Sequence, residues 1–195
     1  MKRKKWMVLG ILLVFLWGSG TSAALAMSNV TVVLPVFPVV LNGQVIDSHK
    51  ASYPLLVYKD VTYVPMTEAY ETFLGLDCFL QKQTQTVKKT KATRETLPEE
   101  TAKKANQKTY KASILDKKVA VQGSSVQNRK ETYPLLLFRD VVYFPLTWQY
   151  TVEEFGWDNR FDAQKGLWID TRATEGQRSK TIISTDHHSS VTVDY

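Results

Sequence analysis

The chain has 195 residues, of which 25 are basic and 19 acidic, with three histidines and one cysteine. The lone Cys78 cannot form a disulfide within its own chain, which excludes a disulfide-stabilised scaffold. Residues 1–26 hold four basic residues and no acidic one, so the remainder carries 21 basic and 19 acidic residues and a net charge of only +2. Nucleic-acid binding through a strongly basic surface is therefore disfavoured.

The N-terminus has the pattern of a secretory signal peptide. Its first five residues are Met-Lys-Arg-Lys-Lys, an apolar run follows from Trp6 to Trp17, and small residues end at Ala24-Leu25-Ala26. A basic start, a short apolar core and an A-x-A site are typical of a cleaved signal. The core is shorter than the ~20 residues that span a bilayer, and an uncleaved anchor stays as the alternative. We expect a secreted or cell-surface protein.

One sequence pattern occurs twice in the rest of the chain. Residues 53–67 and 133–147 lie 80 positions apart and are identical at nine of fifteen positions. The register continues upstream, where residues 39–43 align with residues 119–123. A repeat of this size indicates one folding unit used twice. The predicted organisation is a signal peptide at 1–26, module 1 at 27–88, a charged linker at 89–108, module 2 at 109–171 and a polar C-terminal tail at 172–195.

Module 1 begins with an extended lead-in at residues 27–38. Asn42-Gly43 is a strong hairpin signal, and Lys59-Asp60 turns a second hairpin. A third hairpin is predicted from residues 76–80 and 84–87. In module 2 the predicted strands are 109–115, 119–121, 135–138, 141–144, 157–161 and 167–170. The linker is rich in Lys, Thr, Glu and Gln, and its charge order after Pro98 indicates a short helix.

A short helix is predicted in each module. In module 1 it begins at Pro65, whose missing N–H does no harm in a first turn, and Gly75 ends it in a left-handed conformation. In module 2, Pro145 begins the helix and Gly156 ends it, with one residue more between them. The predicted fold class is α+β: two tandem small modules, each an antiparallel β-sheet of hairpins with one short α-helix.

Short motifs at matching places in the two modules carry a family resemblance. They are Asn42-Gly43, Val64-Pro65-Met66 and Gly75-Leu76-Asp77 in module 1, and Gln122-Gly123, Phe144-Pro145-Leu146, Gly156-Trp157-Asp158 and Gly166-Leu167-Trp168-Ile169 in module 2. The pattern resembles the bacterial copper amine oxidase N-terminal domain-like family, or stalk domain, of secreted and cell-surface proteins in Gram-positive bacteria. The resemblance covers residues 36–88 and 110–171 and implies a structural module.

The resemblance also has limits. Leu76 stands where the family usually has tryptophan, and residues 81–88 lack the Gly-Leu-x-Ile ending of module 2. Module 1 is therefore either incomplete or borrows a strand from its neighbour. Nothing in the chain resembles the large catalytic domain of copper amine oxidases, so we expect no cofactor, no copper and no oxidase activity.

Tyr63, Tyr143 and Trp148 are the candidate surface for a ligand or a partner. Strand alternation puts Tyr63 and Tyr143 on the face opposite Val64 and Phe144. If one sheet face is open, the rings form a platform for a glycan or a peptide. The alternative is that both tyrosines belong to the core, as aromatic residues in strands commonly do.

The other chemistry-bearing residues are explained without a catalytic or metal site. His187-His188 lacks the further ligands that a zinc or copper site needs. Asp60 and Asp140 suit tight turns, and Cys78 suits a small buried position. We therefore predict no catalytic residues and no metal ligands.

These observations predict a non-catalytic tandem module, secreted or at the cell surface, which binds a cell-wall polymer or an extracellular protein. No nucleic acid partner is expected, and membrane contact is expected only through an uncleaved N-terminal segment. One alternative is an accessory or inhibitory partner of a secreted enzyme, bound by strand addition. A less favoured alternative is a small cell-wall hydrolase that uses Asp60 or Asp140 with Glu153.

Overall fold

A computed structural model describes residues 28–98 and 100–172. The predicted signal peptide and His187-His188 lie outside the described residues. The strands are β1 Asn29–Val33, β2 Val39–Leu41, β3 Gln44–Val45, β4 Leu56–Tyr58, β5 Val61–Pro65, β6 Leu76–Gln81, β7 Thr84–Lys89, β8 Thr109–Ile114, β9 Lys118–Val121, β10 Ser124–Val126, β11 Leu136–Phe138, β12 Val141–Pro145, β13 Asp158–Asp162 and β14 Gly166–Asp170. The helices are α1 Glu68–Leu74, a 3₁₀ turn Asn128–Lys130 and a π-helix Gln149–Glu154. Copy 1 denotes β1–β7 with α1, and copy 2 denotes β8–β14 with the π-helix.

Both copies build one closed barrel. Its six strands run in the order β1, β4, β5, β12, β11, β8, three from each copy. The copies join where β5 pairs with β12 and where β1 pairs with β8, both antiparallel. The prediction of two separate α+β modules is therefore wrong: the fold is mostly β, and its central barrel is shared. A lone hairpin is marginally stable in water, and closing a barrel removes its unpaired edges.

The turns of the barrel hairpins are alike in the two copies. Lys59 and Asp60 have φ of 47° and 65°, and Arg139 and Asp140 have φ of 51° and 62°. Two successive positive φ angles make a type I′ turn, whose twist matches that of the flanking strands. The predicted hairpins at both places are confirmed. Asp60 and Asp140 thus hold tight turns, at the modest cost of a left-handed backbone.

Two outer sheets exchange strands between the copies. In one, β14 of copy 2 pairs in parallel with β2 of copy 1; in the other, β7 of copy 1 pairs in parallel with β9 of copy 2. The sheet orders are β13-β14-β2-β3 and β10-β9-β7-β6. Of the two alternatives for copy 1, the borrowed strand is the one observed, and the exchange is mutual.

Two apolar cores result from this topology. One fills the barrel and includes Val32, Leu56 and Leu136. The larger one lies between the barrel and the outer sheets, where α1 and the π-helix also pack, and includes Phe73, Phe155 and Trp157. Strands β5 and β12 are therefore covered on both faces, so their alternate residues point into different cores rather than into a core and solvent. Strands β1 and β8 instead leave alternate residues exposed, such as Thr31 and Lys111.

The helices depart from the sequence prediction at their starts. Pro65 and Pro145 are the last residues of β5 and β12, so neither begins a helix. The α1 helix begins at Glu68, where the Thr67 hydroxyl accepts a hydrogen bond from the Tyr70 N–H at 3.5 Å. Threonine is a favoured N-cap residue, so Thr67 fixes the start of α1 three residues after Pro65. The left-handed Gly75 cap is confirmed, with φ of 69°.

Copy 2 absorbs its one extra residue as a π-helix. The Phe155 N–H donates to the Tyr150 carbonyl at 2.9 Å, five residues back rather than four. A single insertion into a helix commonly produces such a widened turn. Gly156 still ends the helix with φ of 61°. The insertion is thus confined to the helix, and the strands on either side keep their places.

The predicted linker helix after Pro98 is not formed in residues 90–98 and 100–108. The segment instead lies along copy 1, with Leu97 buried in the outer core. Across the described ranges, none of the helices has the length and apolar character that crossing a bilayer requires.

A substitution at Gly166 tests the pairing of β14 with β2. A Cβ at Gly166 would lie 2.0 Å from the Pro38 carbonyl oxygen next to β2, whereas one at Gly123 would meet nothing within 4 Å. Both glycines have a positive φ, so an alanine at either costs about 1–2 kcal/mol of backbone strain. We expect Gly166→Ala to lower the free energy of unfolding by about 1–3 kcal/mol more than Gly123→Ala, because β14 must move away from β2. Urea unfolding of both variants measures the difference, and equal losses would contradict the exchanged contact.

Candidate functional site

The three residues predicted as a ligand surface do not lie together in a surface. Tyr63 and Tyr143 are 0% exposed and lie in the barrel core, whereas Trp148 is 58% exposed. The platform required an open sheet face, and barrel closure covers that face. Of the three, Trp148 alone is available to a ligand.

The two buried tyrosines carry unpaired hydroxyls. Neither the Tyr63 nor the Tyr143 hydroxyl has a hydrogen-bond partner among the described residues. Burial raises the pKa of both phenols well above their usual range, so both stay protonated. Their role is to fill the barrel with aromatic volume, and Tyr143 packs edge-on against Phe138 with ring centroids 5.7 Å apart.

Trp148 lies on the rim of a cleft of about 580 Å³, which we call the aromatic cleft. Its walls come from the β4–β5 turn, the segment before β11, the start of the π-helix and the β13–β14 hairpin. The lining residues are Phe37, Asp60, Val61, Thr62, Glu131, Thr132, Tyr133, Leu146, Thr147, Trp148, Gln149, Tyr150, Asn159, Phe161 and Leu167. The cleft therefore depends on both copies and on the exchanged strand.

Two of the aromatic rings that line this cleft, Trp148 and Phe161, are exposed. Phe161 on β13 is 61% exposed, and Phe37 meets it edge-on with ring centroids 5.4 Å apart. Trp148 and the half-buried Tyr133 line the same cleft. Exposed aromatic side chains beside a concavity are a frequent sign of a binding site.

The polar side of the cleft is acidic and rich in hydrogen-bonding groups. Asp60 and Glu131 are exposed there, and Gln149 adds an amide. The Asn159 side chain is held in place because its Nδ2 donates to the Thr151 hydroxyl at 2.7 Å. Flat apolar rings next to carboxylates and amides match a sugar, which has apolar C–H faces and many hydroxyl donors.

The two copies provide an internal comparison for these aromatic residues. Trp148 corresponds to Glu68 and Phe37 to Lys117, since the repeat is 80 residues long at both places. The strand register makes Phe161 the counterpart of Leu80. The equivalent place on the sheet β10-β9-β7-β6 therefore has none of the three rings: it has Glu68 and Leu80 from copy 1 and Lys117 from copy 2. The fold does not require the three rings, which makes them candidates for a function.

Sequence reasoning identified Trp148 and missed Phe37 and Phe161. The signal that would have found them is the comparison of the copies position by position, since aromatic residues replace a lysine and a leucine. What the sequence does not reveal is that these distant positions share one cleft, because that depends on the β2–β14 pairing.

The cleft does not bring Asp60 together with Glu153, the pairing that the hydrolase alternative requires. Asp60 lines the aromatic cleft with Glu131, whereas Glu153 is exposed and does not line this cleft. Within the described residues, His, Cys, Asp and Glu nowhere form a group of three or more that would suit a metal ion.

Cys78 is a poor nucleophile in the folded protein. Burial raises the pKa of its thiol to about 12, with a further contribution from the Glu71 carboxylate. The Gln85 amide donates to its sulfur at 3.3 Å. A thiol reacts through its thiolate, which at neutral pH is then a minute fraction. Cys78 is a packing residue of the outer core.

Comparison of the chain with protein-family models, with curated proteins and with solved structures found no match. The resemblance to the stalk-domain family therefore stays a prediction from the sequence motifs.

We expect Tyr143→Phe to leave the free energy of unfolding unchanged or to raise it by up to about 1–2 kcal/mol, because it removes a buried hydroxyl without a partner. The control is Tyr110→Phe. The Tyr110 hydroxyl accepts from the Gln107 N–H at 2.8 Å and donates to the Asn106 Oδ1 at 3.0 Å. That variant should lose about 1 kcal/mol. Chemical denaturation of both measures this, and a clear loss in Tyr143→Phe would show that its hydroxyl has a partner.

Cys78 should be alkylated by iodoacetamide at pH 8 at least about 100-fold more slowly in the native protein than in 8 M urea, because its thiolate is scarce and covered. Mass spectrometry over time measures both rates. The control is Asp77→Cys in a Cys78→Ala background, which places a thiol at the exposed neighbouring position of β6 and should react fast without urea. Equal native and unfolded rates for Cys78 would contradict the burial.

Proposed function

We propose that the protein is a non-catalytic binding module of the cell envelope, which holds a wall glycan in the aromatic cleft. The observation that carries the proposal is the pair of exposed rings Trp148 and Phe161, with the half-buried Phe37 packed against Phe161. The equivalent place in the other outer sheet has Glu68, Leu80 and Lys117 instead. Location outside the cytoplasm rests on the signal-peptide pattern of the first 26 residues.

The chemistry of the cleft favours a neutral or amino-bearing sugar chain over an anionic one. Asp60 and Glu131 are the charged side chains that line it, so an anionic polymer would meet like charge. Peptidoglycan glycan strands offer hydroxyl and acetamido groups to these carboxylates and to Gln149, and pyranose faces to the rings. The net charge of +2 outside the first 26 residues adds little attraction of its own.

Strand addition to a partner enzyme is the second candidate. It is supported by the outer sheets, which end in the edge strands β6 and β13. An exposed edge strand offers unpaired backbone groups to another chain. Leu80 and Phe161 are exposed on these two strands. The aromatic cleft favours the glycan, because strand addition by itself requires no aromatic wall.

Co-sedimentation of residues 27–195 with purified peptidoglycan sacculi, at low and at high salt, tests the proposal. We expect binding that persists at high salt, because stacking on rings is not screened as charge attraction is. Trp148→Glu and Phe161→Leu install the copy 1 residues at equivalent places, so they are compatible with the fold. Each should weaken binding by about 2 kcal/mol, or about 30-fold, as for a buried aromatic anchor.

The matched control is Glu68→Ala, at the position of copy 1 equivalent to Trp148, which should leave binding unchanged. Binding that disappears at high salt, or that survives both cleft variants, contradicts a glycan site in the aromatic cleft. Failure to bind sacculi at all would contradict the glycan-binding proposal and favour strand addition to a partner protein. A zymogram of the same protein on wall substrate should show no clearing, and clearing would contradict the non-catalytic role.

A further inference from the structure

In copy 1 the linker covers a cleft beside β3. The Gln44 side chain holds the Leu97 backbone from both sides: its Nε2 donates to the Leu97 carbonyl at 2.9 Å, and its Oε1 accepts from the Leu97 N–H at 2.8 Å. The Leu97 side chain is 9% exposed and packs into the outer core. This part of the linker therefore binds copy 1 as a peptide ligand would.

Backbone pairing extends this contact. The Ser52 N–H donates to the Glu100 carbonyl at 2.8 Å, and the Ala102 N–H donates to the Lys50 carbonyl at 2.6 Å. Ala51 and Thr101 form an antiparallel bridge between these bonds. Added-strand contacts of this kind give affinity through the main chain and specificity through one side-chain pocket.

Copy 2 has an equivalent cleft that no described segment covers, and we call it the open cleft. It has a volume of about 480 Å³ and is lined by Val121, Ser124, Ser125, Val126, Gln127, Lys130, Glu131, Gln149, Tyr150 and Glu154. Ser124, Lys130 and Thr132 are the counterparts of Gln44, Lys50 and Ser52, 80 residues on. All lining residues belong to copy 2, so the described part of the chain supplies no counterpart of Leu97. No described residue accepts from the Thr132 N–H.

The C-terminal segment leaves copy 2 where the linker leaves copy 1. The linker begins after β7, and the Lys89 N–H donates to the Gln122 side chain at 2.8 Å. The C-terminal segment begins after β14, and the Thr171 N–H donates to the Asn42 side chain at 2.8 Å. Gln122 and Asn42 are themselves equivalent, so the two departures are related by the same internal symmetry.

The two segments also have similar sequences at their starts. Residues 90–93 read Thr-Lys-Ala-Thr, and residues 171–174 read Thr-Arg-Ala-Thr, shifted by one position from the register in which Lys89 corresponds to Thr171. Thr96-Leu97 then comes in the linker, and Thr181-Ile182-Ile183 in the C-terminal segment. Ten residues from Arg172 to Ile182 reach up to about 33–36 Å when extended. The linker covers the equivalent path with seven residues, from Thr90 to Leu97.

We propose that the C-terminal segment binds the open cleft of its own chain, with Ile182 and Ile183 in the place that Leu97 takes in copy 1. Its backbone pairs with the Lys130 carbonyl and the Thr132 N–H. Ser124 is too short to hold a backbone as Gln44 does, so the apolar side chains carry more of this contact. The open cleft shares Glu131, Gln149 and Tyr150 with the aromatic cleft, so the bound segment adjoins the glycan site.

Amide hydrogen exchange by NMR on residues 27–195 tests this without any polymer. We expect the Thr132 amide to exchange at least about tenfold faster in an Ile182→Asp/Ile183→Asp variant than in the unchanged chain, because its acceptor is lost. Ser52 is the internal control: its amide is bonded to Glu100 and should keep its rate in both proteins, which also shows that the variant is folded. Val191→Asp/Val193→Asp, which adds the same charges farther along the segment, should leave Thr132 slow.

Two results would overturn the proposal. One is a Thr132 exchange rate that is the same in the unchanged chain and in the Ile182→Asp/Ile183→Asp variant. The other is protection of Thr132 that rises with protein concentration together with a dimer in size-exclusion chromatography, since the occupant would then be the segment of a second copy. Concentration-independent protection that only the isoleucine variant removes supports the intramolecular contact.

Discussion

The exchange of strands between the two copies is the constraint on which the rest of the structure depends. Strand β14 completes the sheet of β2, and β7 completes the sheet of β9, both in parallel. The barrel between them closes only because each copy supplies three strands. Neither copy therefore has a finished sheet of its own, and removal of either would expose long unpaired edges. Gly166 marks how closely the exchanged strand approaches, since even a methyl group there would meet the Pro38 carbonyl.

Comparison of equivalent positions in the two copies also shows which residues the fold requires and which it does not. Buried positions keep their character in both copies, as with Tyr63 and Tyr143 in the barrel, because each fills the same core volume. The fold is indifferent to the residue at an exposed position, so Glu68 can stand where copy 2 has Trp148. A difference between equivalent exposed positions is therefore informative about function in a way that an exposed tryptophan by itself is not.

The two copies differ as well in the segments that continue from their last strands. After β7, the linker lies against copy 1 and buries Leu97. After β14, the chain continues into a segment with two isoleucines, while the equivalent cleft of copy 2 is uncovered in the described residues. The open cleft and the aromatic cleft have Glu131 in common. In the proposed intramolecular contact, a segment bound in the open cleft therefore adjoins the wall of the aromatic cleft.

The sequence by itself determined the local elements, because their signals are local. Asn42-Gly43 and Lys59-Asp60 turn the hairpins as expected, Gly75 ends α1, and the repeat register places the same elements in copy 2. Only the tertiary structure decided which hairpins pair. Strand pairing between distant segments leaves no periodic mark in either one, so an exchanged sheet and a separate module have the same sequence pattern. That choice buried Tyr63 and Tyr143 on the second face of the barrel strands, and it brought Phe37 and Phe161 to Trp148.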